Sequence, residues 1–327
     1  MGRRHVAALR AGGFDVVGIA DTDPEALTSA GAALSMPRHA QFVKPEQLLT
    51  LQPDCVGIAT TAPSHCQLTC LAADAGVRYI LCEKPMAVSL AECDTMIEVA
   101  AHAGATLAIN HQMRFMERFL EPLRIVKSED FGGLGSMTVV AGNFGLAMNG
   151  THYFEAFRMM TGECASEVTA WLSPLRVPNP RGRSFEDPGG AVRVNTASGK
   201  ALYLAAGPEH GHGIITTYAG PFGVVVVDEL VGGLSLSVRT SEDRSLSSTR
   251  YATASVRSTR KISPGDPIVD TQAVLDSLVR GQGFPSGHDG RTAVQVLLAA
   301  YVSDEQGHRA VSLEEVDEFN KRQFAWA

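Results

Sequence analysis

Four short runs in the first third of the chain, residues 14–20, 55–60, 79–82 and 106–109, are apolar almost from end to end. A strand with one face in water alternates polar and apolar side chains, whereas a strand without that alternation must be covered on both faces. The segments between these runs have helical periodicity, and two of them close at glycine, at Gly76 and Gly104. Asp23 followed by Pro24 and Glu25 predicts a helix start, with Asp23 as N-cap and Pro24 in the first turn. Ser89 with Glu92 three residues on predicts a capping box. Residues 3–12 carry Val6 and Leu9 on one face and predict a further helix, stopped by Gly12 and Gly13. Buried strands alternating with helices restrict this region to a parallel sheet with helices on both sides, a Rossmann-type α/β arrangement.

After residue 115 the pattern changes. A helix is predicted over 117–127, then half-buried, Gly- and Ser-rich strands over 136–141, 167–172, 191–195, 201–205, 223–228 and 234–239, interrupted by a helix over 151–160. This reads as a large, mostly antiparallel open sheet. The chain returns to helix over 267–280 and 288–304, with a short one from Ser312; residues 178–184 read as a long mobile loop. The expected fold class is α/β, a Rossmann-type parallel sheet domain over 1–115 followed by an α+β domain with the open sheet over 116–327.

The 327 residues suit two domains. A net charge of -7 argues against a nucleic-acid partner, and Arg257, Arg260 and Lys261 read as a solvated strand end. No apolar run reaches the roughly 18 residues of a membrane helix, and no apolar signal core follows Met1. The six cysteines lack a zinc-type double CxxC spacing and read as buried free thiols of a reducing compartment, so a cytoplasmic location is expected. His210 and His212 have no second ligand pair nearby, and no metal is expected.

Three motifs in order, Thr60-x-x-Pro63-x-His65 before a helix, Cys82-Glu83-Lys84-Pro85 after a strand and Gly150-Thr151-His152 in the second half, together resemble the Gfo/Idh/MocA oxidoreductases across nearly the whole chain. In that family the chain opens with a strand and a G-x-G-x-x-G turn. Here Met1-Gly2-Arg3-Arg4-His5 is similar to the end of that motif, with Gly2 as its third glycine; the first strand and first two glycines are absent. Each unpaired buried backbone group costs on the order of 1–3 kcal/mol against a net stability of about 5–15 kcal/mol. The expectation is that roughly a dozen further residues precede Met1 in the complete protein, supplying this strand and turn. The alternative is a genuine variant that closes the sheet differently and binds dinucleotide poorly.

The resemblance implies NAD as cofactor and a carbohydrate or cyclitol as substrate, with hydride passing between the nicotinamide and a hydroxyl or keto carbon. Asp21, ending the second strand of the pattern, would accept hydrogen bonds from the adenosine ribose hydroxyls and repel a 2'-phosphate. Gly2, Thr60, Pro63, His65, Glu83 and Gln112 are the other expected cofactor contacts. Lys84 would hold the reacting oxygen and His152 take the hydroxyl proton. Each has a plainer reading: a strand-end cap for Asp21, a helix-start residue for His65, a structural pair with Glu83 for Lys84, a core histidine for His152. Many members carry an aspartate four residues before the histidine; here that residue is Met148, and Asn149 is the nearest polar replacement, able to orient substrate. Arg114 is expected to fix the domain interface. A non-catalytic sensor or regulator, or an enzyme using NAD transiently to process glycosides without net redox, are the competing functions. A homodimer or homotetramer through the second-domain sheet is expected.

Overall fold

The computed structural model describes every residue except 143, 177–178, 212 and 248–253. Two compact units emerge, one built from Met1–Gln112, Asp266–Arg291 and Lys321–Trp326, the other from Met113–Gly265 and Thr292–Asn320. The first runs through α1 (Gly2–Ala11), β1 (Ile19–Ala20), α2 (Pro24–Leu34), β2 (Gln41–Phe42), α3 (Pro45–Leu49), β3 (Cys55–Ile58), α4 (His65–Asp74), β4 (Tyr79–Cys82), α5 (Leu90–His102) and β5 (Thr106–Ile109). All its strand pairs are parallel: β1 with β2, and β3–β4–β5 with β4 in the centre. The Asp23 carboxylate accepts from the backbone N–H groups of Glu25 and Ala26. Ser89 Oγ accepts from the Glu92 N–H, while the Glu92 carboxylate turns back to the N–H of Val88, one residue before the N-cap.

The second unit contains α6 (Glu117–Val126), β6 (Ser136–Gly142), α7 (Thr151–Thr161), β7 (Ala165–Arg176), β8 (Pro188–Thr196), β9 (Ala201–Gly207), β10 (Ile214–Ala219), β11 (Gly223–Asp228), β12 (Gly233–Arg239) and β13 (Ser255–Lys261). The chain ends with α8 (Pro267–Arg280), α9 (Gly287–Glu305) and β14 (Val311–Ser312). Among the described residues, nine strands form one sheet in the order β13-β12-β11-β10-β6-β9-β8-β7-β14, antiparallel everywhere except between β6 and β9. Met137, Val139, Val192, Val194, Leu202 and Leu204 bury one face. The opposite face leaves Trp171 and Tyr203 exposed, with the Arg193 guanidinium over the Tyr203 ring. β13, with Arg257, Arg260 and Lys261, is exposed along its length.

Several expectations change. Residues 14–20 are not one buried strand: only Ile19 and Ala20 hold a ladder, and Val17 is 48% exposed. The cause is local, because β1 has β2 beside it on one edge and, among the described residues, no strand on the other. β3 is likewise paired on one edge. The units do not divide by a single cut at 115, because α8 packs against α1, β4 and β5 and thereby covers the first sheet. Ser286 bridges to Ala108, and the Pro285 carbonyl accepts from the Ile109 N–H. Residues 321–326 also return to this unit: the Phe324 N–H donates to the Val88 carbonyl, and its ring stacks on the fully buried Trp326. All six thiols are free, but only Cys82 and Cys93 are buried and Cys164 is exposed; burial pushes the Cys55 thiol up to about 12. Among the described residues no helix is long and apolar enough to cross a membrane, and no side-chain group is arranged to hold a metal. His212 and Pro178 lie outside the described residues. Asn179 to Gly182 form a turn closed by the Gly182 N–H on the Asn179 carbonyl.

β8 meets β7 through a glycine. Gly190 has φ +144, and a β-carbon there would run into the Trp171 carbonyl, a backbone group that cannot move aside. Gly190→Ala is expected to lose about 2–4 kcal/mol, read as a lowered thermal midpoint, whereas the same change at Gly199, where a β-carbon meets nothing within 4 Å, costs less.

Candidate functional site

In parallel α/β sheets, ligands bind beyond the carboxyl ends of the strands. The candidate residues of the first unit lie there: Asp21 directly after β1, Thr60 and Pro63 after β3, Glu83 and Lys84 after β4, and Asn110 and Gln112 after β5. Asp21 is exposed, and one of its oxygens accepts from the Asp23 N–H at 2.9 Å. Thr60 and Pro63 are exposed, with Ser64 Oγ donating to Thr60 Oγ1 at 2.7 Å. His65 is fully buried, its Nδ1 3.0 Å from the Pro85 carbonyl and its Nε2 3.3 Å from the Thr60 carbonyl. It clamps the two loops together and turns neither nitrogen to solvent. Burial outweighs these two carbonyls and holds its pKa below the ordinary value.

Glu83 is the electrostatic centre of this region. Its side chain is 3% exposed, and it accepts from His5 Nε2 at 2.7 Å and Asn110 Nδ2 at 2.9 Å on one oxygen and from the Lys84 backbone N–H at 3.3 Å on the other. Burial alone drives a carboxyl toward its neutral form; here the His5 hydrogen bond and charge, then Lys84 and Asn110, outweigh it and hold Glu83 well below the usual carboxylate range. An ionised carboxylate only accepts, so His5 Nε2 carries the proton. Lys84 is half-buried and joined to Pro85 by a cis peptide bond. Neither His5 nor Asn110 was among the expected site residues. The available signal was a histidine on the apolar face of a helix, beside Val6 and Ala8, which are buried with it.

In the second unit His152 opens α7 and is 5% exposed; Asn149 and Met148 lie half-buried in the π-helical turn Leu146–Gly150 that leads into it. The Asp187 carboxylate, at the lip of β8, accepts from the N–H groups of Ala147 and Met148, both at 2.7 Å. It satisfies the orphan donors of this helical start and places negative charge at its positive end. Gly145 allows the approach, since a β-carbon there would overlap the Asp187 carboxyl. The negative charge against the backbone of residues 147 and 148 thus comes from a distant strand. Arg114 pairs with Glu155 of α7, which also binds Arg158; this anchors Arg114 inside the second unit. Beneath α7, Tyr153 OH donates to Glu229 at 3.0 Å and Thr216 Oγ1 to the same carboxyl at 2.5 Å. Burial, the largest influence, pushes Glu229 up.

A dinucleotide fits the first unit in three respects. The N-terminus of α1 has no side-chain cap and no acidic residue in its first turn, which suits a pyrophosphate. Gly2 is exposed, and a β-carbon on it would stand 4.0 Å from that of Ala59. The buried oxygens Gln112 Oε1 and Asn110 Oδ1 have no hydrogen-bond partner among the described residues. Of the glycine-rich turn expected at such a site, the chain holds Gly2.

Two outcomes test this geometry. Because burial holds the His65 pKa below its ordinary value in the folded protein, the unfolded chain takes up the proton first as pH falls through about 6.5. Thermal stability is therefore expected to fall from about pH 7 downward, with a shallower slope in His65→Gln, measured by melting curves across pH. Asp187→Ala is expected to lose about 3 kcal/mol and Asp187→Asn less, measured by denaturant unfolding.

Residues 1–111 match the model of an oxidoreductase family with an NAD-binding Rossmann fold. A D-apiose dehydrogenase from Paraburkholderia graminis is 40% identical over 118 residues, 35% of this chain and 30% of that protein, so the match spans less than a third of the relative. Over nearly the whole length, the fold is similar to an oxidoreductase from Agrobacterium radiobacter solved with NAD+, L-tartaric acid and magnesium (TM-score 0.80, 19% identity, 96% of each chain). It is also similar to a super-repressor mutant of Gal80p from Saccharomyces cerevisiae (TM-score 0.76, 13% identity, 95% of this chain and 94% of that one). Residues 1–111, with their parallel strands and the Glu83-Lys84-Pro85 turn, are thus similar to the NAD-binding Rossmann domain of the Gfo/Idh/MocA oxidoreductases.

Proposed function

We propose that the chain is an NAD-dependent oxidoreductase acting on a hydroxyl or keto carbon of a sugar or cyclitol. One observation carries the reading: Asp21, Thr60, Lys84 and Gln112 come from four different strand ends, and all lie at the carboxyl side of the parallel strands. The dinucleotide, when bound, supplies the hydride acceptor or donor. Asp21 binds ribose hydroxyls and disfavours a 2'-phosphate. Lys84 donates to the substrate oxygen and stabilises negative charge on it, as its place on a turn braced by the ionised Glu83 suits it to do. From the second unit, His152 takes or returns the hydroxyl proton and Asn149 orients the substrate. The relative named D-apiose dehydrogenase supports a carbohydrate as the substrate class. The exposed sheet face around Trp171 and Tyr203 suits a homodimer or homotetramer, and six free thiols suit a cytoplasmic setting.

A second reading is a sensor or regulator that binds ligand without turnover. Met148 favours it, since an apolar side chain stands where the expected proton-handling set has a carboxylate; so does the likeness in fold to Gal80p.

Calorimetry with NAD and NADH, followed by turnover assays on a panel of aldoses and cyclitols, separates the two. Binding with turnover supports the oxidoreductase; binding without turnover of any polyol supports the sensor; no binding within about the millimolar range removes the dinucleotide from both. Lys84→Ala is expected to lower kcat by about 10²–10⁴-fold with NADH affinity nearly unchanged. Asp21→Ala is expected to narrow the preference for NAD over NADP by about tenfold, measured as a ratio of kcat/KM values.

A further inference from the structure

Lys84 sits on a turn whose preceding side chain, Glu83, is fastened from two distant places in the first unit. His5 reaches it from α1, 78 residues away in the chain, and Asn110 from the end of β5, 27 residues away. Asn110 Nδ2 also lies 3.4 Å from Thr271 Oγ1 of α8, tying that helix into the same network. The His5 ring has a built seat. Its Nδ1 lies 3.2 Å from where a β-carbon on Gly57 would stand, so the ring rests in space that β3 leaves open by having glycine there. His5 is 3% exposed, and its Nε2 is the shortest of the contacts made to Glu83.

We propose that His5 is a positioning residue for Lys84, acting through Glu83. Its Nε2–H holds the carboxylate in the orientation that leaves Oε2 to accept the Lys84 backbone N–H, and so sets both the path of the turn and the distance of a negative charge from the lysine ammonium. Since His5 lies on the second turn of a helix that starts at Gly2, it also links the start of α1 to the Lys84 turn through one ring. The inference rests on the reading of Lys84 as the group that holds the reacting oxygen. Without His5, Oε1 would keep Asn110 as its donor, and more of the carboxylate's charge would fall on Lys84, favouring the ammonium.

Among the described residues, the charged and titratable groups facing Glu83 are His5 on α1, Lys84 on the turn itself and the buried Cys82 thiol at the end of β4; His65 on α4 senses the Glu83 charge. Asn110 and Thr271 contribute uncharged groups, and α8 buries Asp270 beside Thr271.

The test is trace acetylation of the full chain with acetic anhydride across pH, read residue by residue by mass spectrometry, which follows the Lys84 amine without needing turnover. Exposed Lys44 and Lys127 serve as references. In His5→Leu the labelling midpoint of Lys84 is expected to rise by at least about half a pH unit while the references stay put. In His5→Gln, whose amide nitrogen reaches about as far as the ring Nε2, the midpoint is expected to return to the wild-type value. A Lys84 midpoint unmoved in folded His5→Leu, or displaced equally in His5→Gln, overturns the proposal. Should His5→Leu not fold, Gly57→Ala, which pushes the ring from its seat, is read in the same way. Full turnover by Lys84→Ala would instead overturn the catalytic reading of Lys84 and leave the labelling result standing.

Discussion

A single buried carboxylate organises the first unit. An ion with its side chain 3% exposed is costly unless donors surround it, and Glu83 draws its donors from α1, from its own turn and from the end of β5. None of these is near the others in sequence except the turn itself. The charge is best satisfied when all three are assembled, so the geometry of the Lys84 turn and the stability of the unit draw on the same contacts. Sheet pairing alone would not impose this, because β3, β4 and β5 could form their ladders with the turn beyond β4 in several conformations.

The second unit repeats the device. Asp187, from the lip of β8, grips the N–H groups of Ala147 and Met148, as Glu83 accepts the N–H of Lys84. In both units a carboxylate fixes the backbone next to the side chains with candidate chemistry, and in the second it comes from 39 residues away. A chain lacking a carboxylate at 148 therefore still carries negative charge beside the start of α7, where it accepts from two backbone N–H groups. This is the physical content of the departure at Met148.

What could be read in the sequence was whatever leaves a local or periodic trace. The apolar runs declared the parallel strands, Asp23 and Ser89 declared their caps, and Lys84 stood out because a motif surrounds it. His5 and Asp187 left no such trace, since each acts on a partner far along the chain. The helical period of 267–280 shows that α8 has a buried face but not which sheet it covers, and that is where the linear division at 115 failed. Strand β1 fell short of residues 14–20 because a strand's length depends on its neighbours, which its own residues do not record. β10 went unread between glycine-rich segments, although Thr216 and Tyr218 alternate inward from it.

The return of residues 321–326 to the first unit bears on how the chain is made. Synthesis proceeds from the N-terminus at about 5–20 residues per second, and domains generally fold as they emerge. This unit cannot follow that order, because α8 and the stacked Phe324 and Trp326 belong to it and are translated after β6 to β13. While residues 113–265 are being added, the side of β4 and β5 that α8 will cover stands open on the ribosome. Chaperones and proteases therefore meet an apolar parallel sheet for the whole of that interval, and the arrival of α8 ends its exposure.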